Sequence, residues 1–267
     1  MALGLLRGRR APVRLGFFAS ALAALTATPL AAASAPAAPR PALWVVQDAD
    51  TTIYLFGTFH TLDERRDWLT PQVAQAFGSA GELVLETVVP KTRAEIEAAA
   101  KGTEKSAYLT GASRVIAAGR TKGMSTDNGA DHVLRELADE AGKPVSGLEE
   151  FGAQLRTLAR IKAVPVPASA MAAPAPAATV TLDQLLAAWK SGDCGAFSAM
   201  LSGFKSRSPE AYEALIAGRN RAWADWVRTR LDTPGTVFVA VGTGHLAGED
   251  SVQMRLAQAG LLARRIG

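Results

Sequence analysis

Apolar runs alternate with amphipathic segments along the chain from about residue 42 onward. The runs "ALWVVQ" and "TIYLFG", joined by the polar "DADT", predict an antiparallel β-hairpin. Three later runs, "ELVLET", "KPVSGLE" and "TVFVAVG", predict buried strands, and "LLARRI" predicts a short terminal strand. Segments between them, such as "ADHVLRELADEAGK", have the apolar spacing of helices. This alternation predicts an α/β fold with a mostly parallel central sheet, an N-terminal antiparallel hairpin and helices on both faces.

The chain begins with a segment typical of a secretory signal peptide. Residues 1–35 carry four arginines, then the apolar run "LGFFASALAALTATPL" and small residues in Ala-x-Ala frames. A membrane anchor is the alternative, but a spanning helix needs about 20 apolar residues and Pro29 ends a shorter run. We expect a Pro/Ala tether at 36–41 and a single domain at 42–267 with an Ala/Pro-rich surface loop at 163–180. The protein is therefore expected to be periplasmic or secreted, without a stable transmembrane anchor after cleavage.

The charge of the chain gives no reason to expect a nucleic-acid partner. The sequence has 29 basic and 25 acidic residues, but four of the arginines belong to the predicted signal peptide, which contains no acidic residue. Without that segment, 25 basic residues face 25 acidic ones, so the excess basic charge belongs to the export signal. The single cysteine, Cys194, excludes an internal disulfide and is interpreted as a packing residue.

Two of the three histidines share one motif at opposite ends of the predicted domain. Gly57 precedes His60 and Gly242 precedes His245, each in a Gly-x-x-His frame that follows a predicted strand. Ligands bind at the carboxyl ends of the strands of an open α/β sheet, so we expect the two imidazoles to converge there. Gly57, Gly242 and Gly244 are expected to let the chain turn out of the strands and let a ligand approach the backbone.

Acidic residues end the two strands that lie between these motifs. Glu86 ends "ELVLET" and Glu149 ends "KPVSGLE", whereas Glu150 is more simply first-turn charge on the next helix. Imidazole and carboxylate together are the ligands of a divalent-metal hydrolase site, for which zinc, manganese and cobalt are candidates. The alternative for Glu86 is a salt bridge to Arg219 or Arg221, because a buried carboxylate needs a partner.

The segment "GRNRAWADW" places two further polar residues, Arg219 and Asn220, in a predicted helix. An asparagine in the middle of a helix competes with the backbone for hydrogen bonds, so we expect a partner to hold Asn220. A solvated helix face is the alternative for Arg219 and Arg221. The third histidine, His132, lies in a predicted helix beside Asp131 and is interpreted as structural.

The order of these motifs resembles the TraB/GumN family, the group that also contains the Tiki proteins. The resemblance extends from about Ala42 to Ile266 and is carried by "LWVV", "TIYLFGTFH", "ELVLET", "GADHVL", "GKPVSGLE", "LLAAWKSGD", "RNRAW" and "VFVAVGTGHLAGEDSV". Each motif alone is weak evidence for the family, whereas the whole set in this order is specific to it. Two features depart from the family pattern. The Ala/Pro run replaces part of a helical stretch, and Thr87 follows Glu86 where a second acid is common.

The resemblance implies a metal-dependent hydrolase site. In the family, the two Gly-x-x-His motifs and the glutamate between them are taken as that site, and the Tiki proteins act as metalloproteases on secreted signalling peptides. The residues implied by position are His60, Glu86 and His245 as metal ligands, with Glu149, Arg219 and Asn220 as accessory catalytic residues. Hydrolysis of a peptide or amide bond in a peptide or small-molecule substrate is therefore expected. Glu86 would bind the metal or act as base, and Arg219 or Asn220 would stabilise an oxyanion.

The family is also likened to erythromycin esterases and to the haem-binding ChaN proteins, and two alternatives to hydrolysis stay open. In the first, His60 and His245 hold a metal or haem in a periplasmic binding protein without turnover. In the second, the two histidines only hydrogen-bond their own loops. The sequence has no His-Glu-x-x-His helix, so protease activity is implied by the resemblance alone.

Overall fold

The structure is a computed structural model of the 267-residue chain and describes residues 40–103, 106–161 and 180–267. The predicted signal peptide, most of the predicted tether and all but the last residue of the Ala/Pro loop lie outside these ranges. Those assignments stay predictions. Within the described ranges, no helix combines the length and the apolar content needed to cross a membrane.

A six-stranded sheet forms the centre of the described residues. The strands are β1 (Leu43–Gln47), β2 (Thr51–Thr58), β3 (Glu82–Thr87), β4 (Val145–Glu149), β5 (Gly235–Gly242) and β6 (Arg264–Arg265). Their order across the sheet is β4-β3-β5-β2-β1-β6. Strands β2, β5, β3 and β4 are mutually parallel, whereas β1 is antiparallel to both β2 and β6. The predicted mostly parallel sheet with an N-terminal antiparallel hairpin is therefore confirmed.

Helices follow the strands at the segments where the sequence supplies caps. Thr70 accepts a hydrogen bond from the Val73 N–H at the start of α1, and Thr92 and Thr181 form capping boxes at the starts of α2 and α6. The α-helices are α1 (Pro71–Ser79), α2 (Arg93–Ala100), α3 (Ala107–Arg120), α4 (Ala130–Glu140), α5 (Phe151–Arg160), α6 (Leu182–Ser191), α7 (Gly195–Arg207), α8 (Pro209–Tyr212), α9 (Gly218–Arg230) and α10 (Val252–Gln258). Two 3₁₀ turns lie at Thr126–Asn128 and Thr243–Leu246, and a π-helical turn lies at Glu213–Ala217.

The sheet has an apolar core on each face, as the uniformly apolar β5 requires. Val237, Val239 and Val241 pack with residues of α9 and α10 on one face. Phe238 and Ala240 point the other way and pack with residues of α1, α4, α6 and α7. Because both faces are buried, β5 has no polar alternation, which is typical of strands in a parallel sheet. Helices therefore cover both faces, as predicted.

The parallel strands end at the same edge of the sheet. The last residues of β2 and β5, Thr58 and Gly242, are register partners, and Thr87 of β3 is paired with Glu149 of β4. The two Gly-x-x-His segments therefore leave the sheet side by side. This edge is where an open α/β sheet binds ligands, and it is the edge at which the candidate residues were expected.

Candidate active site

His245 is buried and has a single possible neutral form. Its Nδ1 lies 2.6 Å from Asn220 Oδ1. The Asn220 Nδ2 group donates to two carbonyl oxygens, those of Asp250 at 2.8 Å and His245 at 3.3 Å. Because these two acceptors fix the amide, Oδ1 must face the imidazole and accept from Nδ1–H. Nε2 of His245 therefore presents its lone pair toward the site.

The surroundings of His245 keep it uncharged. Burial lowers its pKa to about 4, and Arg219 and His60 add to that effect against the opposing charge of Glu86. Its ring centroid lies 4.4 Å from that of Trp223, a residue of α9 that covers one side of the imidazole. The neutral ring is consistent with the Asn220 contact, because an amide oxygen needs only one N–H to satisfy it.

His60 lies at the same edge but is held by a charge. Its Nδ1 lies 3.1 Å from Asp131 Oδ1, and 59 % of its side chain is exposed. The Asp131 carboxylate, helped by Glu86 and opposed by burial, raises the pKa of His60 to about 9. Helix α4 brings Asp131 there because the Ala130 N–H at its start donates to Phe59 O. A Cβ at Gly129 would clash with the His60 carbonyl, so a glycine is needed where α4 begins next to His60.

Glu86 ends β3 between the two histidines and stays ionised. Its Oε1 accepts from the Gly242 N–H at 2.7 Å, and its Oε2 accepts from Arg219 at 2.8 Å and from Gln154 Nε2 at 3.4 Å. Burial alone would raise the pKa of Glu86, but His245, Arg219, His60 and the Gly242 N–H together lower it to about 2. A carboxylate with so low a pKa is a poor proton acceptor at neutral pH. Glu86 therefore suits a ligand or an electrostatic partner better than a base.

Arg219 connects the candidate residues. Its guanidinium donates to Glu86 Oε2 at 2.8 Å and to Glu149 Oε1 at 2.7 Å, and it lies 3.1 Å from His245 Nε2. Because a guanidinium only donates, His245 Nε2 accepts, in agreement with the form that Asn220 imposes. Arg219 also lies over the Trp223 ring, with Cζ 4.6 Å from its centroid. The salt bridge to Glu86 that the sequence left open is thus formed by Arg219, and a solvated face for Arg219 is wrong.

A π-helical turn sets the direction of Arg219 and Asn220. The segment "SPEAYEALIAGRN" has a sequence that predicts a helix, and the structure confirms that helix from Pro209 onward but widens it at Glu213–Ala217, where the Gly218 N–H donates to Glu213 O. One inserted residue rotates the following side chains by about 100° around the helix axis. Turns of this kind occur often at functional sites. Arg221, two positions beyond Arg219, faces outward instead and pairs with the exposed Glu213.

The motif glycines differ in what they permit. A Cβ on Gly242 would lie 3.1 Å from Glu86 Oε1 and 3.2 Å from His60 Nε2, so these two atoms face one small space beside the strand. A Cβ on Gly57 would lie 2.8 Å from Thr243 Oγ1, because the two Gly-x-x-His segments pass close to each other there. Gly244 also lines the site, but the nearest atom to its Cβ position is Leu201 Cδ2 at 4.0 Å. None of the three has a positive φ, so close approach and not a left-handed turn explains Gly57 and Gly242.

Glu149 and Asn220 lie behind the site and do not face it. Glu149 Oε1 accepts from both Arg219 Nε and Trp223 Nε1, the latter at 3.0 Å, and the residue is absent from the cavity lining. Asn220 is fully buried and both its polar atoms are already bonded. An oxyanion role therefore fits Arg219 and not Asn220. Both residues position others: Glu149 holds Arg219, and Asn220 holds His245.

Three residues of the site were not identified from the sequence. Asp131 was noted only as a neighbour of His132, and neither Gln154 nor Trp223 was assigned to the site. The "GADHVL" motif of the family resemblance contains Asp131 and was the available signal. His132 itself lies on the exposed side of α4, with Nε2 3.4 Å from Glu136 Oε1, in keeping with a structural role. Glu150 caps α5, accepting from the N–H groups of Gly152 and Ala153.

The site opens into a cavity of about 570 Å³. His60, Glu86, Arg219 and His245 form its polar end, together with the backbone from Gly242 to Gly244. Apolar side chains from α3, α5, α6, α7 and the π-helical turn form the remaining walls. The volume lies within the range of roughly 300–1,000 Å³ found for small-molecule sites.

The residues present fit a divalent cation by three criteria. Both His60 and His245 have an acceptor at Nδ1, the arrangement that orients metal-binding imidazoles, so Nε2 is the donor atom of each. Glu86 Oε1 lies 3.8 Å from His245 Nε2, and the missing side chain of Gly242 leaves a cradle beside Glu86 and His60. His60 would bind a cation as the neutral ring, so the carboxylates of Glu86, Asp131 and Glu149 would then face the bound cation and the guanidinium of Arg219.

Arg219 nevertheless blocks the binding of a cation to these donor atoms in the structure as it stands. Among the described residues, no three His, Cys, Asp or Glu side chains are grouped closely enough to bind an ion as they stand. In addition, His245 Nε2 lies 3.1 Å from the Arg219 guanidinium, which occupies its lone pair. A bound cation would have to replace Arg219 at this atom. The imidazole nitrogens and the carboxylate oxygen are therefore suitable ligands for a divalent cation, but Arg219 has to move away from His245 before all of them can bind it.

Fold and site together define an α/β protein with a histidine, glutamate and arginine cluster at the carboxyl edge of its sheet, above an apolar cavity. The model of the TraB/PrgY/gumN family matches the chain in two overlapping segments, residues 42–114 and 90–265. These matches cover most of the chain, so the protein belongs to the TraB/PrgY/gumN family, and the resemblance seen in the sequence is confirmed. Comparisons with curated proteins and with solved structures give no match.

Proposed function

We propose that the protein is an exported, metal-dependent hydrolase of peptide or amide bonds. The single observation that carries the proposal is the position of Glu86 Oε1, which lies beside Gly242 together with His60 Nε2 and is 3.8 Å from His245 Nε2. Their donor atoms are two imidazole nitrogens and one carboxylate oxygen, the ligand set of many catalytic zinc sites. Zinc, manganese or cobalt would be held by His60 Nε2, Glu86 Oε1 and His245 Nε2. When bound, such an ion polarises a carbonyl and lowers the pKa of water.

The chain's own residues supply binding and charge stabilisation around that position. When a cation replaces Arg219 at His245 Nε2, the bonds to Glu86 Oε2 and Glu149 and the contact with the Trp223 ring would keep its guanidinium at the cavity end as a donor. Fixed donors of this kind stabilise the negative charge that develops on a carbonyl oxygen during hydrolysis. The apolar cavity walls would pack against the rest of the substrate. Substrate therefore reaches the cluster from the cavity side, with its carbonyl oxygen toward Arg219.

The first test asks about metal and turnover together. Purified protein is analysed for bound metal and assayed against fluorogenic peptide and amide libraries, with and without chelator. We expect stoichiometric divalent metal and turnover that is lost with chelator and restored by zinc, manganese or cobalt. His60→Ala and His245→Ala should each abolish both. His132→Ala is the matched control, because His132 lies on the exposed side of α4 and should leave metal content and turnover unchanged.

Other outcomes separate the alternatives. Stoichiometric metal or haem without turnover of any substrate would favour a non-catalytic binding protein. Metal content and turnover that do not change in both histidine variants would refute the site. Export is tested separately by fractionation and intact mass, which should show mature protein lacking about the first 35 residues outside the cytoplasm.

A further inference from the structure

The cavity above the cluster has one polar end and otherwise apolar walls. Leu109 and Ile116 of α3, Leu158 of α5, Met200 and Phe204 of α7 and Ile216 of the π-helical turn are among the side chains that line it. In the described residues, charged lining groups are confined to His60, Glu86 and Arg219 at the polar end. A charged or strongly polar ligand body against these walls would lose its hydration without compensation. The body of the ligand is therefore apolar.

The same walls favour a hydrocarbon chain over a peptide. A peptide carries an N–H and a C=O on nearly every residue, and each needs a partner when it is buried. The polar uncharged residues that line the cavity are Thr58, Thr61, Gln154 and Thr243, and Gln154 is already bonded to Glu86. Two of the threonines stand at the ends of β2 and β5, beside the cluster and not along the walls. A hydrocarbon chain has no such groups to satisfy.

The polar end suits one polar group of a ligand. Arg219 and the cluster lie there, and the Arg219 guanidinium can donate to a carbonyl oxygen of the ligand. Flexible methionine at the wall adapts to chains of different length.

We propose that this cavity binds the hydrocarbon chain of an acyl amide, with the amide carbonyl at the Arg219 end. The amide assignment rests on the proposed hydrolase function, whereas binding of the chain rests on the cavity alone. The substrate class is thereby narrowed from amides in general to those with a long hydrocarbon acyl group.

Chain binding is measured without turnover. The purified protein in chelator is titrated with straight-chain primary amides, from butanamide to decanamide, by calorimetry. Each added CH₂ group should lower Kd by up to about fourfold, until the chain fills the cavity. A Kd that does not depend on chain length would overturn the proposal.

Two wall variants and a matched control locate the binding. Ile116→Glu places a charge in the wall, and Met254→Glu makes the same kind of change on α10, outside the cavity; the two apolar side chains are 36 % and 46 % exposed. Decanamide should bind at least tenfold more weakly to Ile116→Glu and unchanged to Met254→Glu. Met200→Trp, which fills the cavity, should shorten the longest chain that binds. If both wall variants bind decanamide like Met254→Glu, the proposal is wrong.

The results also separate this proposal from the hydrolase. Chain-dependent binding in a protein without metal or turnover would retain the chain site and refute the hydrolase. Amide hydrolysis with equal rates for acetyl and decanoyl substrates would retain the hydrolase and refute the chain site.

Discussion

The two Gly-x-x-His segments leave the sheet side by side, yet their imidazoles lie in opposite environments. The side chain of His245 is 7 % exposed and that of His60 is 59 % exposed. The pKa of His245 is lowered to about 4, whereas that of His60 is raised to about 9. At neutral pH one ring is thus a buried neutral acceptor and the other an exposed cation.

The difference teaches that the strand-end motif fixes the place of a histidine and its surroundings fix its charge, through burial at His245 and through the Asp131 carboxylate at His60. Helix α9 presents the Asn220 amide to His245, and an amide oxygen favours neither protonation state strongly. Helix α4 presents the Asp131 carboxylate to His60, which favours the protonated ring. The cluster therefore has a buried half, which is the neutral His245 with Asn220 and Arg219, and an open half, which is the charged His60 with Asp131. Each of the following changes should affect these halves unequally.

The largest effect is expected from Arg219→Met on the buried half. The change leaves the carboxylates of Glu86 and Glu149 without their cation, so the free energy of unfolding in chelator should fall by about 3–5 kcal/mol. Urea unfolding measures it. Added zinc should recover part of the loss, because His245 Nε2 and Glu86 become available to it. Arg221→Met is the control, since its pair with Glu213 is exposed and should contribute only about 0–1 kcal/mol. Equal losses for both arginines would contradict the buried role of Arg219.

Asn220→Leu should have the next largest effect. It leaves His245 Nδ1–H and the carbonyl oxygens of His245 and Asp250 unpaired, and each such buried group costs about 1–3 kcal/mol. We expect the free energy of unfolding to fall by at least about 2 kcal/mol. The corresponding change on the open half, Asp131→Asn, should cost less than about 1 kcal/mol because that pair is exposed. A larger cost for Asp131→Asn would reverse the comparison.

Gly242→Ala should have a smaller effect, shared by both halves. Its methyl group would press on Glu86 Oε1 and His60 Nε2, so we expect a loss of about 1 kcal/mol in unfolding free energy and weaker metal binding. Gly244→Ala has room for its methyl group and should change stability by less than about 0.5 kcal/mol. Indistinguishable metal affinities for the two alanine variants would argue against the cradle beside Gly242.

The smallest effect is a pH dependence of opposite sign in the two halves. His60 has a folded pKa of about 9 against an ordinary 6.5, so its contribution to stability is complete below pH 6.5 and is lost as pH rises toward 9. His245 has a folded pKa of about 4, so burying it neutral costs stability as pH falls from 6.5 toward 4. NMR titration of metal-free protein should resolve both values. Asp131→Asn should lower the pKa of His60 and leave that of His245 in place.

Much of the fold follows from local patterns in the sequence. The uniformly apolar "TVFVAVG" indicates a strand buried on both faces, and the threonine caps place the starts of α1, α2 and α6. The positions of His60, Glu86 and His245 at strand ends also follow, because parallel strands share one carboxyl edge. The helix predicted through "EALIAGRN" is confirmed, but its π-helical turn was not foreseen, because such a turn gives no signal in the apolar spacing.

The sequence by itself determined the α/β architecture and the edge at which the candidate residues meet, because strand periodicity and chain order are local properties. Only the tertiary structure decided which partner each residue meets: Asp131 reaches His60 from 71 positions away, and Arg219 lies on Glu86 from 133 positions away. Charge, protonation and cavity shape depend on these distant contacts, since electrostatic energies are set by distance and burial in space and not by separation along the chain.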